Sequence, residues 1–288
     1  MVRTLVTGSS GHLGEAIVRT LRARGEDVAG MDIRPSPWTD RVGSVTDPGA
    51  VRAAMAGADV VLHTATLHKP QLAFVPGRAF IDTNVSGTLS LLEAAADSGV
   101  RAFVMSSSTT VFGDALIPDA QQPAAWIDES VTPVPKNMYG ATKAAAEDLC
   151  QLAQRNHGLP CVVLRVARFF PEGDDRPDAQ EGRNDANVKA DEYATRRVAL
   201  EDAVDAHLLA AAAAERIGFG RYIVSATTPF LPQDLAQLRT DAAGVFARRA
   251  PRVAEMVDAE DTVQTPLARL VGSKEYLHSS YHRRTFAP

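Results

Sequence analysis

Val2-Arg3-Thr4-Leu5-Val6-Thr7-Gly8-Ser9-Ser10-Gly11-His12-Leu13-Gly14-Glu15-Ala16-Ile17 is the stretch whose reading decides the fold. A short apolar run ends at Thr7, a glycine-rich turn follows, and apolar residues recur at helical spacing through Leu13, Ile17, Val18 and Leu21. That reads as strand, tight loop, helix. Gly8 and Gly11 carry no Cβ, so backbone amides can approach a bound pyrophosphate, and Gly14 lets the helix pack close on the strand. The orphan amides and positive dipole end of the helix then face the phosphates.

A glycine-rich turn alone would read the same way, so the context decides. A second strand-like run, Asp27-Val28-Ala29-Gly30-Met31-Asp32, ends in an acid about 20 residues on, where a carboxylate would hydrogen-bond the adenosine ribose. Asp32 repels a 2′-phosphate and favours NAD over NADP. Arg34 pulls the other way, because a nearby guanidinium can accept that phosphate.

The 288 residues suffice for one large α/β domain or for one domain with a small appendage. A net charge of −5 argues against a general nucleic-acid surface. No apolar run reaches the roughly 18 residues that span a bilayer, and the N-terminus enters a strand without a signal-peptide pattern. No membrane association and a cytoplasmic location are therefore expected. Cys150 and Cys161 form no CxxC pair and read as reduced core residues. The histidines show no metal-site spacing; His278 and His282 are four apart but have no third ligand, so no metal is expected.

Arg41 to Val45 reads as a third short strand, Thr46-Asp47-Pro48 as a helix start, and Asp59 to His63 as a strand buried on both faces. Thr64 to Gly77 reads as a loop, Ala79 to Ser98 as one long helix, and Arg101 to Ser106 as the fifth strand. Asp114 to Lys136 is loop-like, Asn137 to His157 helical, Pro160 to Val166 a sixth strand, and Pro171 to Asp191 a polar loop. Helix from Glu201 to Glu215, strand from Arg221 to Ser225 and a short helix from Leu231 to Arg239 complete the periodic part; Thr240 to Pro288 shows weak periodicity. This alternation implies an α/β fold, a Rossmann-like doubly wound parallel sheet with right-handed crossovers. Thr7-Gly8, Asp32, His63-Thr64 and Ser106-Ser107-Ser108 should line one crevice at the carboxyl ends of the strands.

Tyr139 and Lys143 stand four apart, one turn along one helix face. A positive charge about 4 Å from a phenol, at an effective dielectric near 20, favours the phenolate by roughly 4 kcal/mol before desolvation. At about 1.36 kcal/mol per unit, that brings the phenol within reach of neutral pH, and an oxidised nicotinamide would push the same way. Tyr139 can then take a proton from a substrate hydroxyl as hydride leaves carbon, with Ser108 holding the same oxygen.

Thr7 to Gly14 resembles the TGxxGxxG loop of the extended short-chain dehydrogenase/reductases, the nucleotide-sugar epimerase and dehydratase group. Asn84-Val85-Ser86-Gly87-Thr88 is similar to their N-V-x-G-T segment, and Ser106 to Gly113 to their S-S-S-x-x-V-Y-G strand end. Tyr139 to Lys143 resembles their YxxxK, and Arg196 to His207 a later segment ending D-x-x-x-A-H. The resemblance implies Tyr139 as acid/base, Lys143 on the nicotinamide ribose and Ser108 as the second hydroxyl. It places Gly8, Gly11, His12, Leu13 and Gly14 at the pyrophosphate, Asp32 at the adenosine ribose and Val45 beside the adenine. Thr64, Ala65, Thr66 and Ser106 would line the cofactor, NAD, with Asn84 supporting the site. It also implies a homodimer built from the helices holding Asn84 and Tyr139. The chain then divides into an NAD-binding domain, residues 1–166 with 198–226 returning to it, and a small substrate-binding region, 167–197 and 227–288.

Departures from the family pattern bear on the substrate. Thr109 and Thr110 replace the Asp-Glu pair of the dehydratases, which disfavours water elimination. Phe112 replaces a Tyr, and Arg168 sits where many epimerases have Asn near the diphosphate. Asn187 resembles a nucleotide contact, and Arg196 or Arg197 could meet a phosphate of the expected nucleotide-sugar substrate. Three readings follow: a sugar-nucleotide epimerase acting at C4, a dehydrogenase or reductase of a smaller polyol, uronate or keto substrate, and a catalytically silent NAD-sensing regulator. The span from Pro171 to Arg197 is short for a nucleotide-sugar site and favours the second; Asn187 and Arg196 favour the first.

Overall fold

The N-terminal stretch forms β1 (Arg3–Thr7) and α1 (His12–Ala23) in a computed structural model that describes residues 2–119, 121–169, 197–251 and 276–278. α1 buries Leu13, Ala16, Ile17, Val18 and Leu21, the stripe a sheet-facing helix needs. There follow β2 (Asp27–Asp32), β3 (Arg41–Val42), α2 (Pro48–Met55) and β4 (Val60–His63). The start of α2 is fixed by Asp47, whose carboxylate accepts from Gly49 N at 2.8 Å, with Pro48 at the first helical position. The third strand stops at Val42 rather than Val45, because the Ser44 hydroxyl accepts from Thr46 N at 3.1 Å and turns the chain.

The expected long helix over 79–98 runs without interruption as α3 (Gly77–Phe80), a π-helical turn (Ile81–Ser86) and α4 (Gly87–Asp97), the π turn being the one departure from α geometry. β5 (Ala102–Ser108) and β6 (Ala125–Ile127) precede α5 (Met138–His157). Asn137 caps α5 by accepting from Gly140 N at 2.9 Å, and Gly158 ends it in the left-handed region at φ 68°. Next come β7 (Cys161–Val166), α6 (Leu200–Ile217), β8 (Phe219–Val224), α7 (Leu235–Thr240) and α8 (Ala242–Arg249). Two segments read as irregular contain strands: β6 pairs in parallel with β9 (Tyr276–His278).

Seven strands make one sheet in the order β3-β2-β1-β4-β5-β7-β8, every neighbour parallel. The order reverses between β1 and β4, and all carboxyl ends share one edge, so the ligand crevice falls there. Adjacent residues serve opposite faces. Val6, Leu62, Val104 and Leu164 pack on the layer of α1 and α6. Leu5, Val61, Phe103, Met105 and Val163 pack on the layer of α2, α4 and α5. Each such side chain, fully removed from water, contributes about 1.5–3 kcal/mol. A separate small core of Phe230, Leu238, Val245 and Phe246 joins α7 and α8 to Ala124 and Trp126.

The turn after β1 brings α1 into close contact with backbone. A Cβ on Gly14 would lie 2.1 Å from the Gly8 carbonyl oxygen, and one on Gly8 2.6 Å from Ala65 N, with φ +78° already excluding most side chains. Gly14→Ala is therefore expected to lower stability by about 1–3 kcal/mol through overpacking against backbone. Urea unfolding followed by circular dichroism measures it, and an unchanged midpoint would contradict the packing described.

Candidate active site

At the N-terminus of α1, Gly11 is the cap residue and no side chain caps the helix. Ser10 N donates to Asp32 Oδ2 at 3.1 Å, and Arg34 N to Asp32 Oδ1 at 2.9 Å, so the acid at the end of β2 braces the glycine loop. The Ser10 hydroxyl is buried with no hydrogen-bond partner. An orphaned hydroxyl costs about 1–3 kcal/mol unless a ligand oxygen meets it. Together with the uncapped helix end and a loop in which side chains at Gly8 and Gly14 would clash with backbone, this fits a pyrophosphate held by backbone amides.

The strand ends are wired together. Thr88 Oγ1 donates to the Asn84 carbonyl at 2.7 Å, so its lone pair accepts from His63 Nε2 at 3.0 Å. His63 Nδ1 must then accept from Thr7 Oγ1 at 2.7 Å, and Thr7 Oγ1 accepts from Ala65 N at 3.4 Å. Burial, and after it the charge of Lys143, lowers the His63 pKa to about 3, which keeps the ring neutral in this tautomer. Thr64 donates through Oγ1 to the Thr7 carbonyl at 2.7 Å.

Asn84 sits in the π-helical turn. Its Oδ1 accepts from Thr66 Oγ1 at 3.0 Å and Leu67 N at 2.8 Å; its Nδ2 donates to Leu67 O at 3.0 Å and Thr142 Oγ1 at 3.1 Å. The amide is saturated by protein, so it locks the loop after β4 to α5. Val45 is buried against Gly87, where a Cβ would lie 2.6 Å from Val45 Cγ2. The Ser106 hydroxyl bonds to His207 Nε2 at 2.7 Å, while His207 Nδ1 donates to Ala203 O at 2.7 Å, so Ser106 is the donor. Burial lowers the His207 pKa to about 4.

Tyr139 and Lys143 are both buried, on the face of α5 that meets the end of β5. Ser108 is held by its own turn, donating to Thr110 Oγ1 at 3.0 Å and accepting from Thr110 N at 3.1 Å, and is near enough to Tyr139 to act on its phenol. His68 meets the Tyr139 ring edge-on at 5.0 Å between centroids. The phenol departs from the sequence expectation: its pKa is raised to about 12, because burial disfavours the phenolate more than the Ser108 hydrogen bond favours it. Burial also lowers Lys143 to about 8, against the charge of Glu147, which raises it. Before any ligand enters, this protein alone holds Tyr139 protonated.

Arg168 and Arg197 are bridged beyond the carboxyl end of β7, with Arg197 buried. Asn187 and Arg196 lie outside the described residues. Sequence reasoning passed over Ser10, the His63 and His207 hydrogen bonds, Arg197's burial and Glu147. Only Glu147 carried a local signal, its position four residues after Lys143. Among the described residues no three His, Cys, Asp or Glu side chains form a metal cluster, and no helix is long and apolar enough to cross a membrane.

A glycine loop at the switch point of a parallel sheet, with a buried tyrosine and lysine beside a strand-end serine, defines a dinucleotide-binding α/β protein of the short-chain dehydrogenase/reductase type. The chain belongs to the NAD-dependent epimerase/dehydratase family, whose model matches residues 4–224. It is 30% identical over 238 residues to UDP-glucose 4-epimerase of Streptomyces lividans, covering 72% of this chain and 70% of that protein. It is 30% identical over 183 residues to the NAD-dependent glucose-6-phosphate dehydrogenase of Haloferax volcanii, covering 57% and 68%. A short-chain dehydrogenase/reductase superfamily protein of Agrobacterium tumefaciens, solved with bound NAD, matches 78% of both chains with a TM-score of 0.64 at 27% identity. The chain spans about half the length of several of the curated relatives it matches.

In the ligand-free protein, Tyr139 should ionise at about 12. Absorbance of phenolate near 295 nm, taken as the difference between wild type and Tyr139→Phe, measures it. Oxidised NAD should lower the midpoint; a midpoint near neutrality without ligand would contradict the burial described.

Proposed function

We propose that this protein is an NAD-dependent sugar-nucleotide epimerase, acting at C4 through a keto intermediate. The observation that supports the reading is the burial of Tyr139 and Lys143 on one face of α5, the helix that packs against β5, with Ser108 at the carboxyl end of that strand. The intact triad speaks against a silent NAD sensor, which needs none of the three.

The glycine loop, Ser10 and Asp32 would hold NAD, with His12, Leu13, Val45, Thr64, Ala65 and Thr66 along it and Lys143 at the nicotinamide ribose. When bound, NAD supplies the acceptor and donor of hydride. Ser108 holds the substrate's C4 oxygen, Tyr139 takes its proton as the alcohol becomes a ketone, and the same phenol returns it after the sugar has turned its other face. The positive charge of Lys143 favours the phenolate in that exchange, and closing the site removes water that would compete for the proton.

Residues 167–197 and 227–288 form the substrate-binding region in this proposal, with Arg168 for the diphosphate, Asn187 for the nucleotide and Arg196 or Arg197 for a phosphate. Guanidinium groups suit that role because they meet phosphate oxygens in pairs. Missing acids at Thr109 and Thr110 argue against dehydration. Two buried free cysteines suit a reducing cytoplasm.

A second reading, net oxidation of a smaller sugar, draws support from the Haloferax relative named for glucose-6-phosphate oxidation. Incubating the purified protein with UDP-glucose and resolving UDP-galactose by chromatography tests the first. Formation of NADH at 340 nm from glucose 6-phosphate with no epimer would replace it by the second; NAD binding without either turnover would replace it by the sensor. Tyr139→Phe should cut turnover by about 10² to 10⁴.

The homodimer is proposed on α4 and α5, where Ile81, Leu89 and Leu152 stand exposed beside each other's helix. Leu89→Arg with Leu152→Glu should yield a folded monomer by sedimentation. A wild-type monomer at high concentration would refute the interface.

A further inference from the structure

The third member of the α5 face is Glu147, one turn beyond Lys143 and as deeply buried, and no step described so far uses it. Its carboxylate is gripped from three strands. Oε1 accepts from Ser107 Oγ on β5 at 2.5 Å; Oε2 accepts from Arg165 Nη2 on β7 at 2.8 Å; Arg165 Nε lies 3.2 Å from both oxygens. Arg221 Nε on β8 stands 3.2 Å from Oε2, off the hydrogen-bonding line, and contributes charge. Arg221 is itself turned outward, donating through Nη2 to Asp148 at 2.7 Å and Gln151 at 3.3 Å. The Arg165 guanidinium lies 5.0 Å over the Phe112 ring, at the end of the turn that Ser108 opens.

An ion pair this deep is a poor source of stability. Desolvating Glu147 and Arg165, exposed by 2% and 3%, costs several kcal/mol per ion, and apolar residues of similar volume often do as well. What the cluster does achieve is placement. Ser107 precedes Ser108 in β5, so a bond from Ser107 to α5 fixes the helix carrying Tyr139 against the strand carrying Ser108.

We propose that Glu147 is a positioning residue of the reaction: anchored by Ser107 and Arg165, it sets the register of α5 against β5 and supplies the negative charge that faces the Lys143 ammonium. This rests on the reading of Tyr139 and Lys143 as the acid–base pair. Among the described residues, Lys143 is faced from α5 by Glu147 and by Cys150, a thiol that Cys161 and burial keep protonated, and from β4 by His63, which is neutral above about pH 3. Arg165 and Arg221 face Glu147 from the far strands. Glu147 supplies the charge that raises the Lys143 pKa against burial. Removing its charge lets Lys143 lose its proton at lower pH, and a neutral amine no longer favours the phenolate.

The test follows Lys143 itself, so it does not depend on knowing the substrate. In protein labelled with ¹³C-lysine, the Lys143 ε-methylene signal, assigned by Lys143→Arg, should titrate at about 8. In Glu147→Gln the midpoint should fall by about 1 unit. Glu147→Asp, which keeps the charge, should restore it. If Glu147→Gln does not fold, Glu147→Gln combined with Arg165→Met removes the buried guanidinium that the first change would strand, and the midpoint should still fall. Under any assay that wild type supports, Ser107→Ala should lower kcat by about tenfold with KM for NAD unchanged, since misplacing a reacting group costs rate rather than cofactor affinity. A Lys143 midpoint equal to wild type in the folded charge-neutral variants, with only thermal stability reduced, would overturn the proposal. Failure of wild type to turn over UDP-glucose would overturn the epimerase reading and leave the titration result standing.

Discussion

Contact between two glycines sets the geometry on which the rest depends. Because Gly14 presents only a hydrogen to the Gly8 carbonyl, α1 can seat its uncapped end at the carboxyl edge of the sheet, next to Asp32 and Thr64. Were that helix displaced outward by one methyl group, its amides would no longer point where β1 and β4 diverge. The parallel order of the strands then does the remaining work: it delivers Thr7, His63, Ser108 and Val166 to the same edge without any further loop having to be specified.

The edge so formed is cohesive because its polar groups satisfy one another. Asn84 gives all its hydrogen-bonding capacity to the loop after β4 and to Thr142 on α5, and Ser106 reaches across to His207 on α6. These are neutral, saturated bonds in a dry interior, where an unmet group would be costly. Tyr139 is kept protonated by the same dryness. Its reactivity is therefore a property of the loaded site, where charges gather, and not of the helix by itself.

What could be read from the sequence was whatever depended on near neighbours. Strands such as Val60–His63 declare themselves by unbroken apolar character, and Asn137 and Asp47 declare helix starts by chemistry confined to three residues. The Tyr139 and Lys143 pair and the glycine loop are likewise local patterns. The π-helical turn was hidden because Ile81 to Ser86 keeps a helical apolar rhythm; its cause is tertiary, the pull of Leu67 and Thr142 on Asn84. The pairing of β6 with β9 joins three-residue segments far apart in the chain, for which no local signal exists. The Tyr139 shift was misjudged in direction because spacing reveals a neighbouring charge and says nothing of burial. The role of Glu147 is not legible locally, since the three strands that grip it are remote in sequence.

The neutral His63 ring has a consequence of its own. From the amide of Ala65 through Thr7, His63 and Thr88 to the carbonyl of Asn84, every proton leans the same way. Such a file behaves as one dipole with its two ends on different elements. Its far end is the backbone of the same Asn84 whose side chain bonds to Thr142 on α5, so one residue closes the file from the sheet edge and ties the tyrosine helix to it.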